Sequence, residues 1–241
     1  MPDTPDYHKY LPNSIRLSLQ DMGELAARLG SIVTYDRRGE VVWFDNFSHG
    51  ISKYTILLSG TDSSAVLGVV RTGRSGYNMK QVIGTTGNKY VQCYTNVTLL
   101  ELSKIGMEIA AYFTINPSHF IMGIYHFDGS KRHTYFVKID TQNKKLYVQN
   151  SAGTYIEVST IPRIDNPDGT IHNFKIIIDT DNQVYVRMQI NSLSYDLTVY
   201  SHKEDNDSSA PGIMVYFATF GTGGPSEVGT INHVILTSNE P

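Results

Sequence analysis

Lys138-Ile139-Asp140-Thr141-Gln142-Asn143-Lys144-Lys145-Leu146-Tyr147-Val148 reads as strand, turn, strand. The turn is Asp140-Thr141-Gln142-Asn143, and Asp and Asn suit it because their short side chains bond nearby backbone and tolerate left-handed geometry. The pattern returns in Ile177-Ile178-Asp179-Thr180-Asp181-Asn182-Gln183-Val184-Tyr185-Val186. One short match does not make a solenoid repeat. Two hairpins of one antiparallel sandwich are the better reading.

Outward from these hairpins the chain continues as runs rich in Val, Ile, Tyr and Phe, punctuated by Gly, Asn, Asp and Ser. They extend from Val41–Asp45 and Tyr54–Leu58 through Tyr90–Val97, Gly106–Ile115 and Phe120–Phe127 to Ile213–Phe220 and Val228–Leu236. About a dozen such strands at roughly ten-residue spacing imply two packed sheets. The expected fold is all-β, an antiparallel two-sheet jelly-roll sandwich over residues 31–241. A chain of 241 residues fits this as one domain. Its single cysteine, Cys93, lies in a strand pattern and reads as an inert small hydrophobe, so no intrachain disulfide forms.

Residues 1–30 differ. Pro2, Pro5 and Pro12 keep the opening extended, and Ser18-Leu19-Gln20-Asp21 resembles a capped helix start. Met22, Leu25, Ala26 and Leu29 recur at helical spacing up to the terminator Gly30. A short amphipathic helix on an N-terminal arm is expected, with Met22, Leu25 and Leu29 as its assembly stripe. The arm either packs on its own sandwich or docks on another subunit.

A net charge of −3 and the lack of any Lys/Arg run argue against nucleic acid as a partner. No apolar stretch approaches the roughly 20 residues of a membrane span, and the N-terminus lacks the basic and apolar regions of a secretion signal. A soluble protein is expected, one that stays in the cytoplasm or leaves inside a larger particle.

Val41-Val42-Trp43-Phe44-Asp45-Asn46-Phe47-Ser48-His49-Gly50, followed by Tyr54, resembles the opening of concanavalin-like, laminin-G-like and jelly-roll carbohydrate-binding domains. Those often read aromatic-Asp-Asp-Phe-x-x-Gly and then tryptophan. Gly229-Thr230-Ile231-Asn232-His233-Val234-Ile235-Leu236 resembles their final strand, and His172–Asp179 their central one. The resemblance implies the sandwich and bears only weakly on ligand. In carbohydrate-binding jelly rolls acids at the two ends hold a structural calcium, which would fall here on Asp45, Asn46 and Asn232. Much of that charge has been replaced by amides and His233, so no cofactor is expected, calcium included. Tyr10–Ser14, Gly23–Gly30 and Tyr35–Gly39 resemble leaders of uncharacterised tailed-phage proteins. That likeness implies a virion surface or decoration component attached through the arm.

The chemistry of catalysis is missing from the pattern. Glycoside hydrolases of lectin-like fold carry two or three carboxylates alternating on one strand. Glu101, Glu108 and Glu157 stand apart from one another, and there is no Gly-x-Ser-x-Gly, phosphate loop or His-Glu-x-x-His. If Asp128-Gly129-Ser130-Lys131 makes a four-residue hairpin loop, His126 faces His133. Two imidazoles do not complete a metal site, and a solvated pair is expected. Tyrosine is abundant, with 16 residues, and Tyr54, Tyr125 and Tyr155 are candidates to line a glycan surface. The leading expectation is a non-catalytic structural protein that assembles with itself or with a larger shell. A carbohydrate-binding module is the alternative, and a glycoside hydrolase the distant one.

Overall fold

The computed structural model describes residues 39–69, 77–84, 89–98, 103–115, 117–162, 164, 170–222 and 227–241. The arm, with Met22, Leu25 and Leu29, lies outside the described residues, as does Glu101. The described residues form sixteen strands and no helix. In chain order these begin β1 (Glu40–Asp45), β2 (Thr55–Ser59), β3 (Ser64–Val69), β4 (Tyr77–Ile83), β5 (Tyr90–Val97), β6 (Lys104–Ile115), β7 (His119–Phe127) and β8 (Lys131–Asp140). They continue with β9 (Lys145–Gln149), β10 (Tyr155–Thr160), β11 (His172–Asp179), β12 (Val184–Ile190), β13 (Leu193–Asp196), β14 (Lys203–Asn206), β15 (Gly212–Phe220) and β16 (Glu227–Ser238). No helix among the described residues is long and apolar enough to cross a membrane.

Two eight-stranded antiparallel sheets face each other. The back sheet runs β13-β12-β11-β6-β16-β4-β3, with β1 also on β16; the front sheet runs β10-β9-β8-β7-β15-β5-β2, with β14 also on β8. Alternation, shifted at bulges in β16 and a few other strands, sends one face of the strands inward. From the front sheet Phe120, Met122, Ile124, Tyr135, Val137, Val215 and Phe217 meet Ile105, Met107, Ile109, Phe174, Ile176 and Leu236 of the back sheet. The opening and closing strands pair antiparallel, Phe44 opposite Ile235 and Asp45 opposite Val234.

Both quoted hairpins form, β8–β9 and β11–β12. Asp140 Oδ1 accepts the Asn143 N–H at 2.7 Å and Asp179 Oδ1 that of Asn182 at 2.9 Å. The left-handed residue is the one after the asparagine, Lys144 (φ 55°) in one turn and Gln183 (φ 55°) in the other. Three strands escaped the sequence reading: β4, β10 and the wholly polar β14, Lys-Glu-Asp-Asn.

β14 interrupts an otherwise regular front sheet. Residues 131–134 of β8 pair with β14, while residues 137–140 pair with β9. The ladder is therefore open on that edge at Tyr135 and Phe136. Tyr185 of β12 reaches across the core to fill the gap: its hydroxyl accepts the Phe136 N–H at 2.9 Å and donates to the Gln149 carbonyl at 2.9 Å.

Candidate functional site

The outer face of the front sheet is paved with aromatics. The residues that alternate with the core set there are Tyr90 and Tyr94 on β5, Tyr216 and Phe220 on β15, Tyr125 on β7, Phe136 on β8 and Tyr147 on β9. Gly123 stands between Phe136 and Tyr216 in the register. A Cβ at that position would lie 2.1 Å from the Tyr135 carbonyl oxygen and 2.5 Å from the Phe136 ring, so only glycine fits. Across it Phe136 and Tyr216 stack at 4.6 Å, and Tyr125 meets Phe136 edge-on at 4.7 Å. Lys138 Nζ sits 4.2 Å from the Tyr147 ring centroid and 4.9 Å from that of Tyr155.

Where β14 and β9 part, this face opens into a cleft of about 310 Å³. Tyr125 and Phe136 form its aromatic part, while Arg132, Thr134, Gln149, Lys203 and Asp205 supply polar groups, beside the small residues Ala152 and Gly153. Arg132 lies 5.2 Å over the Tyr125 ring and bonds Asp205 at 2.8 Å. Lys203 and then Arg132 hold the Asp205 carboxyl below its ordinary range, so it stays ionised. Gln149 Nε2 donates to the Gly153 carbonyl at 3.3 Å, whereas its buried Oε1 accepts no hydrogen bond. Burial pushes the Tyr125 and Tyr155 phenols upward, which keeps both hydroxyls as donors. A second cleft of about 280 Å³, lined by Asn96, Phe127, Pro211 and Ile213 among others, has no charged side chain in its lining.

Of the three tyrosines singled out in the sequence, Tyr125 and Tyr155 share the front face and pack against one apolar cluster. Tyr54 does not join them: it is 6% exposed, within the core, and its hydroxyl donates to Asp45 Oδ2 at 2.7 Å. It turns inward because Asp45, itself buried, needs that donor. Asp45 Oδ1 accepts the Phe47 N–H at 2.9 Å and pairs with Lys53 Nζ at 2.7 Å, so an ammonium already supplies the positive charge beside this carboxylate. Asn46 Oδ1 takes the Ser48 N–H at 3.0 Å. Asn232 falls at the register shift between Ile231 and His233, with a buried Oδ1 that has no partner.

The histidine pair needs a correction. His126 faces His133 as the four-residue loop requires, with ring centroids 5.5 Å apart. The pair is not solvated: His133 has no exposed side-chain surface, and β14 with the residue before it brings Glu204 and His202 to it. His133 Nδ1 lies 2.9 Å from His202 Nε2, and Glu204 Oε1 lies 3.4 Å from His202 Nε2 and 3.9 Å from His133 Nδ1. On its far side His133 Nε2 bonds Asp128 Oδ2 at 3.1 Å. Burial, then the neighbouring His133, lowers the His202 pKa, and Glu204 opposes that shift. Sequence spacing could not reveal this cluster, because Glu204 lies on a strand with no apolar alternation and His202 immediately before it.

No protein-family model matches the chain, and no curated protein matches it. Solved structures do. One, described as a conserved carbohydrate esterase from the Shiga toxin-encoding bacteriophage phi24B, matches with a TM-score of 0.55 and 15% identity over 84% of this chain and 100% of that one. Peanut lectin matches with a TM-score of 0.51 and 13% identity over 82% of this chain and 96% of the lectin. A sialidase matches at 0.51 with 9% identity over 84% of this chain, which spans only 19% of the sialidase. At such identities the likeness shows fold alone. The chain has the concanavalin-like jelly-roll fold shared by lectins and carbohydrate-active enzymes.

Proposed function

We propose that the protein is a glycan-binding module that holds a sugar in the front-sheet cleft without turning it over. The observation that carries this reading is the cleft that sets the Tyr125 ring, with Arg132 over it, beside Gln149, Lys203 and Asp205. The C–H face of a pyranose matches an aromatic ring, and its hydroxyls match polar groups at the rim. Arg132, Lys203 and Asp205 give fixed polar groups for orientation. Hydrolysis through two carboxylates lacks support here, since among the described residues lining the cleft Asp205 is the only acid. The lectin and the phage carbohydrate esterase among the structural relatives agree with a carbohydrate ligand.

The test is a glycan array probed with the full chain, followed by calorimetry on the best ligand. Tyr125→Ala and Gln149→Ala should each weaken binding about tenfold or more, about 1.4 kcal/mol, while Asn96→Ala in the second cleft leaves it unchanged. Undiminished binding by both cleft variants removes the proposal.

A second reading, self-assembly on a virion surface, is favoured by the edge formed by β2 and β3. Each ends its sheet, and Leu58 is 50% and Val69 69% exposed there. Light scattering on the full chain decides it: a monomer at tens of micromolar ends this reading without touching the glycan proposal.

A further inference from the structure

The His133–His202–Glu204 cluster belongs neither to the aromatic cleft nor to the Asp45 network. Its geometry is specific. Zinc bound at about 2.0–2.1 Å by tetrahedral ligands separates those ligands by about 3.4 Å. The three ligand-atom separations here, 2.9, 3.4 and 3.9 Å, bracket that edge. A second observation is independent of spacing. The Asp128 carboxylate can only accept, so at 3.1 Å it holds His133 Nε2 as the donor. That contact leaves the His133 Nδ1 lone pair facing His202 Nε2 at 2.9 Å. A proton or a metal ion can sit between the two nitrogens, and Glu204 Oε1 beside them favours positive charge at that point.

We propose that His133 Nδ1, His202 Nε2 and Glu204 Oε1 form a binding site for a divalent transition-metal ion of the zinc type. Two imidazoles and one carboxylate suit zinc, cobalt or nickel and not calcium, which demands six or more oxygens. Asp128 supplies the carboxylate behind a ligating histidine that fixes its tautomer and raises its basicity. Glu204 is partly exposed, so water has access to a fourth position. The ion would staple β14 to β8. That role suits a four-residue polar strand otherwise held by its ladder and by side-chain pairs such as Lys131–Glu204 at 2.6 Å. The staple also fixes Lys203 and Asp205 at the glycan cleft, although the metal site stands without that assignment.

The experiment is a cobalt(II) titration of untagged, chelator-treated full-length protein, read by visible absorption, with zinc as competitor and metal content measured after gel filtration. One equivalent with the strong visible bands of tetrahedral cobalt, displaced by zinc, is expected. His202→Gln should lose at least about 100-fold in affinity, and Asp128→Asn about 10–100-fold. Glu204→Gln changes one partly exposed oxygen; it should fold like the parent and still weaken the site more than tenfold, so it decides the matter if His202→Gln misfolds. A parent that binds no cobalt or zinc at micromolar concentration, or a Glu204→Gln protein that binds like the parent, overturns the proposal.

Discussion

Tyr185→Phe removes one oxygen from the seam that shapes the cleft. The hydroxyl serves two backbone groups on strands that do not pair with each other there, the Phe136 N–H and the Gln149 carbonyl, each at 2.9 Å. Its loss leaves one buried donor and one acceptor without a partner, at about 1–3 kcal/mol each. Allowing for partial rescue by water, about 2–3 kcal/mol of stability should go. For a domain of this size each kcal/mol corresponds to about 2–4 °C, so the melting temperature should fall by about 4–12 °C. Tyr135 is the control. Its ring lies 5.3 Å from that of Tyr185, but its buried hydroxyl has no partner, so Tyr135→Phe should be neutral or stabilising. Calorimetry and urea melts on both variants read the contrast. Equal effects from the two substitutions would refute the reasoning that the Tyr185 hydroxyl closes the split between β14 and β9.

Glu240 and Lys175 form a fully buried pair at 2.6 Å, so Glu240→Gln should cost about 3–5 kcal/mol in urea unfolding; an unchanged midpoint would contradict this. Burial first, then Lys138, lowers the His119 pKa from 6.5 to about 4. Between those values the unfolded chain binds a proton that the folded chain refuses, so this contribution is complete above pH 6.5 and is lost as pH falls toward 4. His119→Phe should therefore melt with a shallower decline than the parent over pH 7 to 4.5, and parallel curves would show otherwise. Calcium at millimolar concentration should leave the melting temperature unchanged, because Lys53, Tyr54 and the Phe47 N–H already occupy the Asp45 carboxylate. A clear rise would mean that the ammonium yields to the ion.

Where local chemistry and burial agree, the fold is legible in the chain. Both Asp-Thr-x-Asn turns close as read, and the Asp128–Lys131 loop sets His126 against His133. β4 hides because its core-facing Gln81 is polar; it is fully buried, donating to Cys93 Sγ at 3.2 Å and accepting from Thr219. β14 hides for a similar reason: Lys203, Glu204, Asp205 and Asn206 carry no apolar alternation and are held by pairing with β8 and by charge. The cleft depends on that strand, so only Tyr125 and Tyr155 of the front face could be named in advance. Tyr54 reads as a surface candidate because the buried carboxylate that turns it inward, Asp45, lies nine residues earlier in the chain. Phe136 gave no warning either: its place on the outer face depends on Gly123 across the ladder, a long-range relation.

Aromatic and amide NMR spectra of the full chain, titrated with its best glycan ligand, address the cleft assignment most directly. Binding in the cleft predicts the largest shifts at the Tyr125 and Phe136 rings and at the Gln149 side-chain amide, with smaller ones at Gly153 and Lys203. Asn96, Phe127 and Ile213 at the second cleft should stay unmoved. Shifts concentrated at that second cleft, with Gln149 and Tyr125 unchanged at saturation, would contradict it.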